Sequence, residues 1–256
     1  MTLIDSIVLG AVEGITEFLP VSSTAHLVLA SSLLKIEQDN FAKAYEIIIQ
    51  IAPIFSVLIL YYERLFQKFS LWLKLILAFV PTGVVGLLFH KQIEAMFNPT
   101  AAVILMILTG FAFIGIEWFY REQEHHVEDI NEVTYTQAFW VGISQVFALV
   151  PGISRSGSTI LGGMLAGLKR ETAMGFSFLL AVPTMVAASG YTLYKESTAF
   201  SESDTLLLGI GFIVSFVVGY LAIKGFLAVV ARYSFKPFGV YLIATGLVFW
   251  MFGIEA

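Results

Sequence analysis

The sequence predicts an all-α polytopic membrane protein that forms a single integral membrane domain over residues 1–256. Hydrophobic residues make up 58% of the 256 residues and charged residues only 13%, whereas soluble domains carry about a quarter charged residues. Several apolar runs approach the roughly 20 residues that a helix needs to cross a bilayer. The runs are continuous, which is not the alternating pattern of a transmembrane β-barrel.

Six apolar segments are predicted as full spans, with short polar segments between them. They are Phe41–Tyr62, Leu71–Phe89, Pro99–Phe119, Gly175–Tyr194, Leu206–Ile223 and Pro237–Gly253. The chain has no cysteine, which excludes disulfides and thiolate metal sites. It has no basic patch for nucleic acid, so the lipid bilayer is the expected partner surface.

Two further segments, Leu3–Leu34 and Ala138–Leu168, are apolar at both ends but interrupted near the middle. Pro20 interrupts the first, and Pro151 interrupts the second. Proline removes a backbone donor and breaks a helix, and neither half of either segment is long enough to span. Each segment is therefore predicted to be a re-entrant helix pair, which enters the membrane, breaks and returns to the same side.

The chain also repeats internally, because five landmarks recur in the same order at offsets of 130 to 138 residues. They are FLPVSSTAH (18–26) with LVPGISRSG (149–157), YEIIIQIAP (45–53) with GFSFLLAVP (175–183), VVG (84–86) with VVG (217–219), Asn98-Pro99 with Lys236-Pro237, and Thr109-Gly110 with Thr245-Gly246. Each repeat, roughly 1–120 and 136–256, then holds one re-entrant pair and three spans. Since three is odd, the second repeat must be inverted, an arrangement that places functional sites near the midplane between broken helices.

The distribution of Lys and Arg predicts the orientation. Nine fall on one side of the predicted membrane: Arg64, Lys68, Lys74, Arg121, Lys169, Arg170, Lys224, Arg232 and Lys236. Four fall on the other side: Lys35, Lys43, Lys91 and Lys195. The positive-inside rule puts the side with nine in the cytoplasm, so the first re-entrant loop opens outward and the second enters from the cytoplasm.

The first break carries an acidic pair. Glu13 and Glu17 are spaced i, i+4 and share one face if the segment is helical. Two carboxylates at that spacing favour a cation between them, and their hard oxygen ligands suit Mg²⁺ or Ca²⁺. The alternative is that one or both are protonated or hydrogen-bonded to the broken backbone.

Hydroxyl groups and an imidazole follow Pro20. Ser22, Ser23 and Thr24 either cap the returning helix or take part in binding and chemistry. His26 lies three residues beyond Ser23 and is a candidate acid or base beside the two glutamates.

The second break has the composition of an anion site. Arg155 is the only basic residue predicted at membrane depth, and Ser154, Ser156 and Thr159 surround it at the start of a helix. A helix N-terminus and an arginine together bind phosphate well. The alternative is that Arg155 only neutralises Glu13 or Glu17. With the acidic pair, the hydroxyls and the imidazole, the set indicates phosphoryl chemistry, and its place in a membrane predicts a phosphorylated lipid substrate.

The motifs EGITEFLPVSSTAH (13–26) and PGISRSGSTI (151–160) resemble the signatures of the undecaprenyl-diphosphate phosphatase family of the bacitracin-resistance type. YEIIIQ (45–50) and FSFLLAVP (176–183) extend the resemblance over essentially the whole chain. Ala25 is a departure, because glycine is expected before the histidine. The resemblance implies hydrolysis of undecaprenyl diphosphate to the monophosphate carrier of peptidoglycan synthesis in the bacterial inner membrane, with a divalent metal.

By motif match, the resemblance implies that Glu13 and Glu17 form the acidic pair, that Ser23 and His26 act in the first loop, and that three residues act in the second. These three are Ser154, Arg155 and Thr159. Our hypothesis is that Arg155 holds the diphosphate, the two glutamates hold Mg²⁺ or Ca²⁺, Ser23 attacks phosphorus, and His26 or Glu17 handles protons. A water nucleophile stays open, as do a homodimer and a polyprenyl-phosphate transporter or flippase that uses the same residues.

Overall fold

The computed structural model describes residues 1–95, 99–196, 200–230 and 234–251, and all regular structure in these ranges is helical. The helices are α1 (Leu3–Thr16), α2 (Ser23–Leu33), α3 (Asn40–Ile48), α4 (Ala52–Leu60), α5 (Tyr62–Gln67), α6 (Phe69–Leu88), α7 (His90–Ala95), α8 (Pro99–Phe119), α9 (Tyr135–Val146), α10 (Arg155–Leu165), α11 (Arg170–Glu196), α12 (Glu202–Val230) and α13 (Lys236–Met251). Asn98, Arg232 and Gly253, which the sequence analysis used, lie outside the described residues.

Five helical stretches in the described ranges are long and apolar enough to cross a membrane. They are Asn40–Leu60, Phe69–Leu88, Thr100–Phe119, Arg170–Lys195 and Glu202–Ala228. The first combines α3, a short 3₁₀ turn and α4. The sixth predicted span corresponds to α13, whose described part has 16 residues and is about 24 Å long. The chain is therefore a multi-pass helical membrane protein, and the number of complete spans stays a prediction.

Both predicted breaks are present. Helix α1 ends at Thr16, four residues before Pro20, where a continued helix would bring the proline ring against the Thr16 carbonyl. Helix α9 ends at Val146, and Val150 before Pro151 is extended, as a residue preceding proline prefers. The four helices of the two pairs have 14, 11, 12 and 11 residues, too few to cross a bilayer singly.

The second pair folds back on itself as a hairpin. Gln137, near the start of α9, donates to the carbonyl of Ala166 at the end of α10. Deeper in the pair, a Cβ atom on Gly162 would lie 2.1 Å from the Ser144 hydroxyl oxygen. The outer ends of α9 and α10 are therefore adjacent, which is the geometry expected of a helix pair that enters and leaves on one side.

Three helix pairs pack at close range through small residues, as is common where helices associate in lipid. Helix α1 runs parallel to α12, since Ser6 donates to the Leu207 carbonyl at 2.7 Å and a Cβ atom on Gly10 would lie 2.7 Å from the Gly211 carbonyl oxygen. Helix α9 packs on α6 in the same way, with Gly142 against Ala78.

Helices α8 and α13 cross in the antiparallel direction. Gly110 lies against Gly239, and Gly246 lies against Ile107. Helices α3 and α4 run antiparallel to α11, because Ser189 donates to the Ile47 carbonyl while Gly175 lies against Tyr61. These packings hold the two breaks at the centre of the bundle.

Candidate active site

The two breaks meet inside the protein. The Ser156 hydroxyl of the second break donates to the Leu19 carbonyl of the first at 3.0 Å. Arg155 Nη2 donates to Glu17 Oε1 at 2.7 Å, and their side chains are only 11% and 2% exposed. Residues 138 positions apart in the chain therefore share one buried ion pair, which is the pairing that the sequence analysis gave as the alternative to phosphate binding by Arg155.

Arg155 is the first residue of α10. Ser154 caps this helix by accepting a hydrogen bond from the Gly157 backbone N–H at 3.0 Å. Arg155 Nη1 donates to the Ser177 carbonyl at 3.0 Å, and the guanidinium lies 5.6 Å from the Phe18 ring centre. Its Nε is buried with no hydrogen-bond partner among the described residues. The guanidinium is thus held by hydrogen bonds at Nη1 and Nη2, and its Nε–H can donate to a further oxygen atom.

Glu17 links the arginine to a hydroxyl group. While Oε1 accepts from Arg155, Oε2 accepts from the Ser23 Oγ at 2.7 Å. Ser23 begins α2 and is partly buried. A carboxylate that accepts a hydrogen bond from a serine hydroxyl is placed to act as the general base for that serine.

His26 does not face Ser23. Its Nδ1 lies 2.9 Å from the Ser22 carbonyl oxygen, which can only accept, so Nδ1 carries a proton. Its Nε2 lies 2.7 Å from the Tyr241 hydroxyl of α13, and the two rings stack at 5.6 Å. The imidazole is therefore oriented toward α13, which favours Glu17 over His26 as the group that takes the Ser23 proton.

The remaining hydroxyl groups that the sequence predicted for the site lie partly in the second break and partly in the first. Ser154 and Ser156 lie 3.1 Å apart between their oxygens, and the Thr159 hydroxyl lies 2.6 Å from that of Ser177. In the first break, Ser22 has a φ of +66° and makes no side-chain cap, so a capping role for Ser22 is wrong. Its left-handed backbone turns the chain into α2, while Thr24 lies partly buried in the first turn.

Glu13 has a different environment from Glu17. It is fully buried in α1, and both carboxylate oxygens lack a hydrogen-bond partner in the described part of the chain. No group of three His, Cys, Asp or Glu that could hold a metal occurs among the described residues. The two unmet oxygens of the Glu13 carboxylate nonetheless fit a hard divalent cation, whose other ligands are commonly water and substrate phosphate oxygens.

Two residues of this site were not predicted. Ser177 anchors both Arg155 and Thr159, and the matched stretch 176–183 contained the signal that could have identified it. Tyr241 contacts His26 from a distant apolar helix, and nothing in its local sequence distinguishes it from a tyrosine at a membrane surface.

This fold and this site define a multi-pass membrane protein with a buried Glu–Ser–Arg cluster where two broken helices meet. The chain belongs to the bacitracin resistance protein BacA family, whose family model matches residues 6–248. The predicted resemblance is confirmed. A protein of Persephonella marina is 49% identical over 252 residues, which cover 98% of this chain and 99% of the relative.

Further relatives match with similar coverage. A protein of Wolinella succinogenes is 47% identical over 249 residues, 97% of each chain, and one of Methanococcus aeolicus is 43% identical over 255 residues, 100% of each. All three relatives are named undecaprenyl-diphosphatase.

Proposed function

We propose that this protein is a membrane phosphatase that hydrolyses undecaprenyl diphosphate to undecaprenyl phosphate and inorganic phosphate. The reaction regenerates the lipid carrier of cell-wall synthesis, and the expected setting is the bacterial plasma membrane. The names of relatives at 43–49% identity over nearly the whole chain support this activity. The observation that carries it is the continuous contact from Arg155 through Glu17 to Ser23, which joins an anion-binding group, a base and a nucleophile.

The diphosphate is expected to bind at the N-terminus of α10. The backbone N–H groups of this helix and the Arg155 guanidinium are positive, and they favour an oxyanion. Because a carboxylate and a phosphate compete for the same guanidinium, the substrate replaces part of the Arg155–Glu17 contact. Ser154, Ser156 and Thr159 hold the start of α10 in place, while Ser22 and Thr24 line the first break as substrate-binding candidates.

Glu13 and Glu17 are the proposed ligands of Mg²⁺ or Ca²⁺. A divalent ion there supplies positive charge that offsets the charge of the diphosphate. The unmet oxygens of the buried Glu13 support this assignment, because a buried charge without partners is costly.

In the proposed mechanism, the Ser23 oxygen attacks the terminal phosphorus while its proton passes to Glu17. The bond from that phosphorus to the bridging oxygen breaks, and undecaprenyl phosphate leaves with the electron pair. Water then hydrolyses the phosphoserine and releases inorganic phosphate. In the alternative mechanism, Ser23 only positions a water molecule that attacks directly. His26, held by Tyr241, is proposed to orient the first turn of α2 and its hydroxyls.

The inverted repeat supports a single site between the two halves. Helices that correspond under the repeat, α8 with α13 and α3–α4 with α11, cross in the antiparallel direction, as an inverted pair requires. The contact of Gly110 with Ile243 corresponds to that of Gly246 with Ile107, because an offset of 136 residues relates Gly110 to Gly246 and Ile107 to Ile243. We propose six spans, two re-entrant pairs and a site near the midplane.

Phosphate release by the purified protein in detergent tests the proposed activity. We expect turnover of undecaprenyl diphosphate in the presence of Mg²⁺ or Ca²⁺. A flippase or transporter needs two compartments and would release no phosphate in detergent. Absence of release from folded protein would contradict the proposal and favour that alternative.

The outward opening of the site rests on the positive-inside rule. Lys68, exposed between α5 and α6, is predicted to be cytoplasmic. A Lys68→Cys variant should react with a membrane-impermeant maleimide only after permeabilisation, and the chain has no other cysteine. Labelling of this cysteine in intact cells would show that the predicted orientation is wrong. A homodimer stays a prediction, which molecular mass in detergent would test.

A further inference from the structure

Two polar side chains in the interface between α1 and α12 are buried without partners. Glu13 and Ser215 are both 0% exposed, and neither the Glu13 carboxylate nor the Ser215 hydroxyl has a hydrogen-bond partner among the described residues. The two helices are in close contact there, since a Cβ atom on Gly14 would lie 2.7 Å from the Ser215 carbonyl oxygen. Unmet buried polar groups are rare in folded proteins, and a bound ion is one of the physical explanations for them.

The corresponding interface in the other half of the protein is the one between α9 and α6, and its buried polar side chains are hydrogen-bonded to each other. The contact of Gly10 with Gly211 corresponds to that of Gly142 with Ala78, at offsets of 132 and 133 residues. The same offsets relate Glu13 to Gln145 and Ser215 to Thr82. Gln145 Nε2 donates to the Thr82 hydroxyl at 3.1 Å in the interface between α9 and α6. The residues in the first half that are equivalent to this hydrogen-bonded pair are therefore Glu13 and Ser215.

A third residue completes the network in the second half only. The Thr184 hydroxyl lies 3.3 Å from Gln145 Oε1 and 2.9 Å from the Leu180 carbonyl oxygen, and its proton can be donated to either. The equivalent position is Ile54, since Pro53 corresponds to Pro183, and isoleucine has no polar atom. The amide of Gln145 is thus satisfied by protein groups alone. The carboxylate of Glu13 has an extra charge and lacks the third partner.

We propose that the Ser215 hydroxyl is a further ligand, with Glu13, of the divalent cation. This inference rests on the proposed function, which places the cation at Glu13 and Glu17. Hard cations take carboxylate oxygens first and complete their shells with neutral oxygens, which a serine hydroxyl supplies. Helix α12, which sequence analysis treated only as a span, then contributes to the site.

The experiment measures Mn²⁺ binding by electron paramagnetic resonance on purified protein in detergent, with no lipid substrate present. The variants are Ser215→Ala, which removes the hydroxyl, and Ser215→Thr, which keeps it. The matched control is Thr82→Val, which removes the hydroxyl at the equivalent position. Glu13→Gln identifies the signal that belongs to this site, and thermal unfolding verifies that each variant is folded.

We expect Ser215→Ala to weaken Mn²⁺ binding about tenfold, the size of effect seen when a supporting ligand interaction is lost. Ser215→Thr should restore the affinity, and Thr82→Val should bind as the wild type does. Equal Mn²⁺ affinity in Ser215→Ala and wild type, or no Mn²⁺ binding by the wild type, would overturn the inference. Phosphate release by the same wild-type sample reports the proposed function separately, since Mn²⁺ binding without turnover would contradict the function alone.

Discussion

The two helix breaks differ in how they accommodate buried polar groups. In the second break, Ser154 caps α10, and Gln145 lies in a network that protein groups complete. In the first break, Ser22 makes no cap and Glu13 has no partner among the residues described. Gln145 near the second break is therefore satisfied by protein groups, whereas the Glu13 carboxylate near the first break is not.

The charges of the two breaks differ as well. The first contributes two carboxylates, and the second contributes Arg155. Either charge alone would be expensive to bury, and their contact at 2.7 Å offsets that cost. Each break therefore supplies a charge of the sign that the other lacks, and the ion pair forms only when the two breaks are in contact.

The largest effect is expected from Ser23→Ala. If Ser23 is the nucleophile, phosphate release should fall by about 10³-fold or more in folded protein. A phosphoserine trapped at position 23 by rapid acid quench and mass spectrometry would support the covalent mechanism. Near-normal turnover of Ser23→Ala would exclude it and assign the attack to water.

A smaller effect separates the role of Glu13 in the first half from that of Gln145 in the second. Glu13→Gln should lower turnover at millimolar Mg²⁺ by about 10- to 100-fold through weaker metal binding, with partial recovery at higher Mg²⁺. Because the Glu13 carboxylate oxygens have no hydrogen-bond partner among the described residues, the substitution breaks no such contact, and the thermal stability of the variant should not fall.

Gln145→Leu is the matched change in the other half. It should destabilise the protein by about 1–3 kcal/mol, because the buried Thr82 hydroxyl loses the hydrogen bond that Gln145 donates. Turnover per folded molecule should stay near the wild-type value. Thermal unfolding and phosphate release on the same samples measure both quantities, and equal behaviour of the two variants would remove the distinction between the breaks.

Much of this arrangement was predictable from local sequence. Pro20 and Pro151 end helices through steric rules that act over four residues, so both breaks could be located. The pairing of Arg155 with a glutamate was an alternative to phosphate binding in the sequence analysis, because an isolated charge is costly in a membrane. The choice of Glu17 over Glu13 did not follow, because it depends on how α10 and α1 pack.

Long-range contacts account for what was missed. The partner of His26 comes from α13, 215 residues away, and no local pattern marks Tyr241. A capping role was reasonable for Ser22 by residue type, but its backbone is left-handed and its side chain makes no cap hydrogen bond. The sixth span, predicted over Pro237–Gly253, stays a prediction, since α13 is described to Met251.

The central claim is that the two breaks form one catalytic site, and a double-mutant cycle on Glu17 and Arg155 tests it most directly. The cycle compares kcat/KM for phosphate release from undecaprenyl diphosphate in Glu17→Gln, Arg155→Lys and the double variant, each verified as folded. The exposed ion pair of Arg64 and Asp129 serves as the control cycle, for which we expect no change in activity. We predict that the double variant is no worse than the poorer single variant, with a coupling of at least about 1.4 kcal/mol, or tenfold. If the two losses instead multiply as independent effects, the breaks do not act as one site and the account is contradicted.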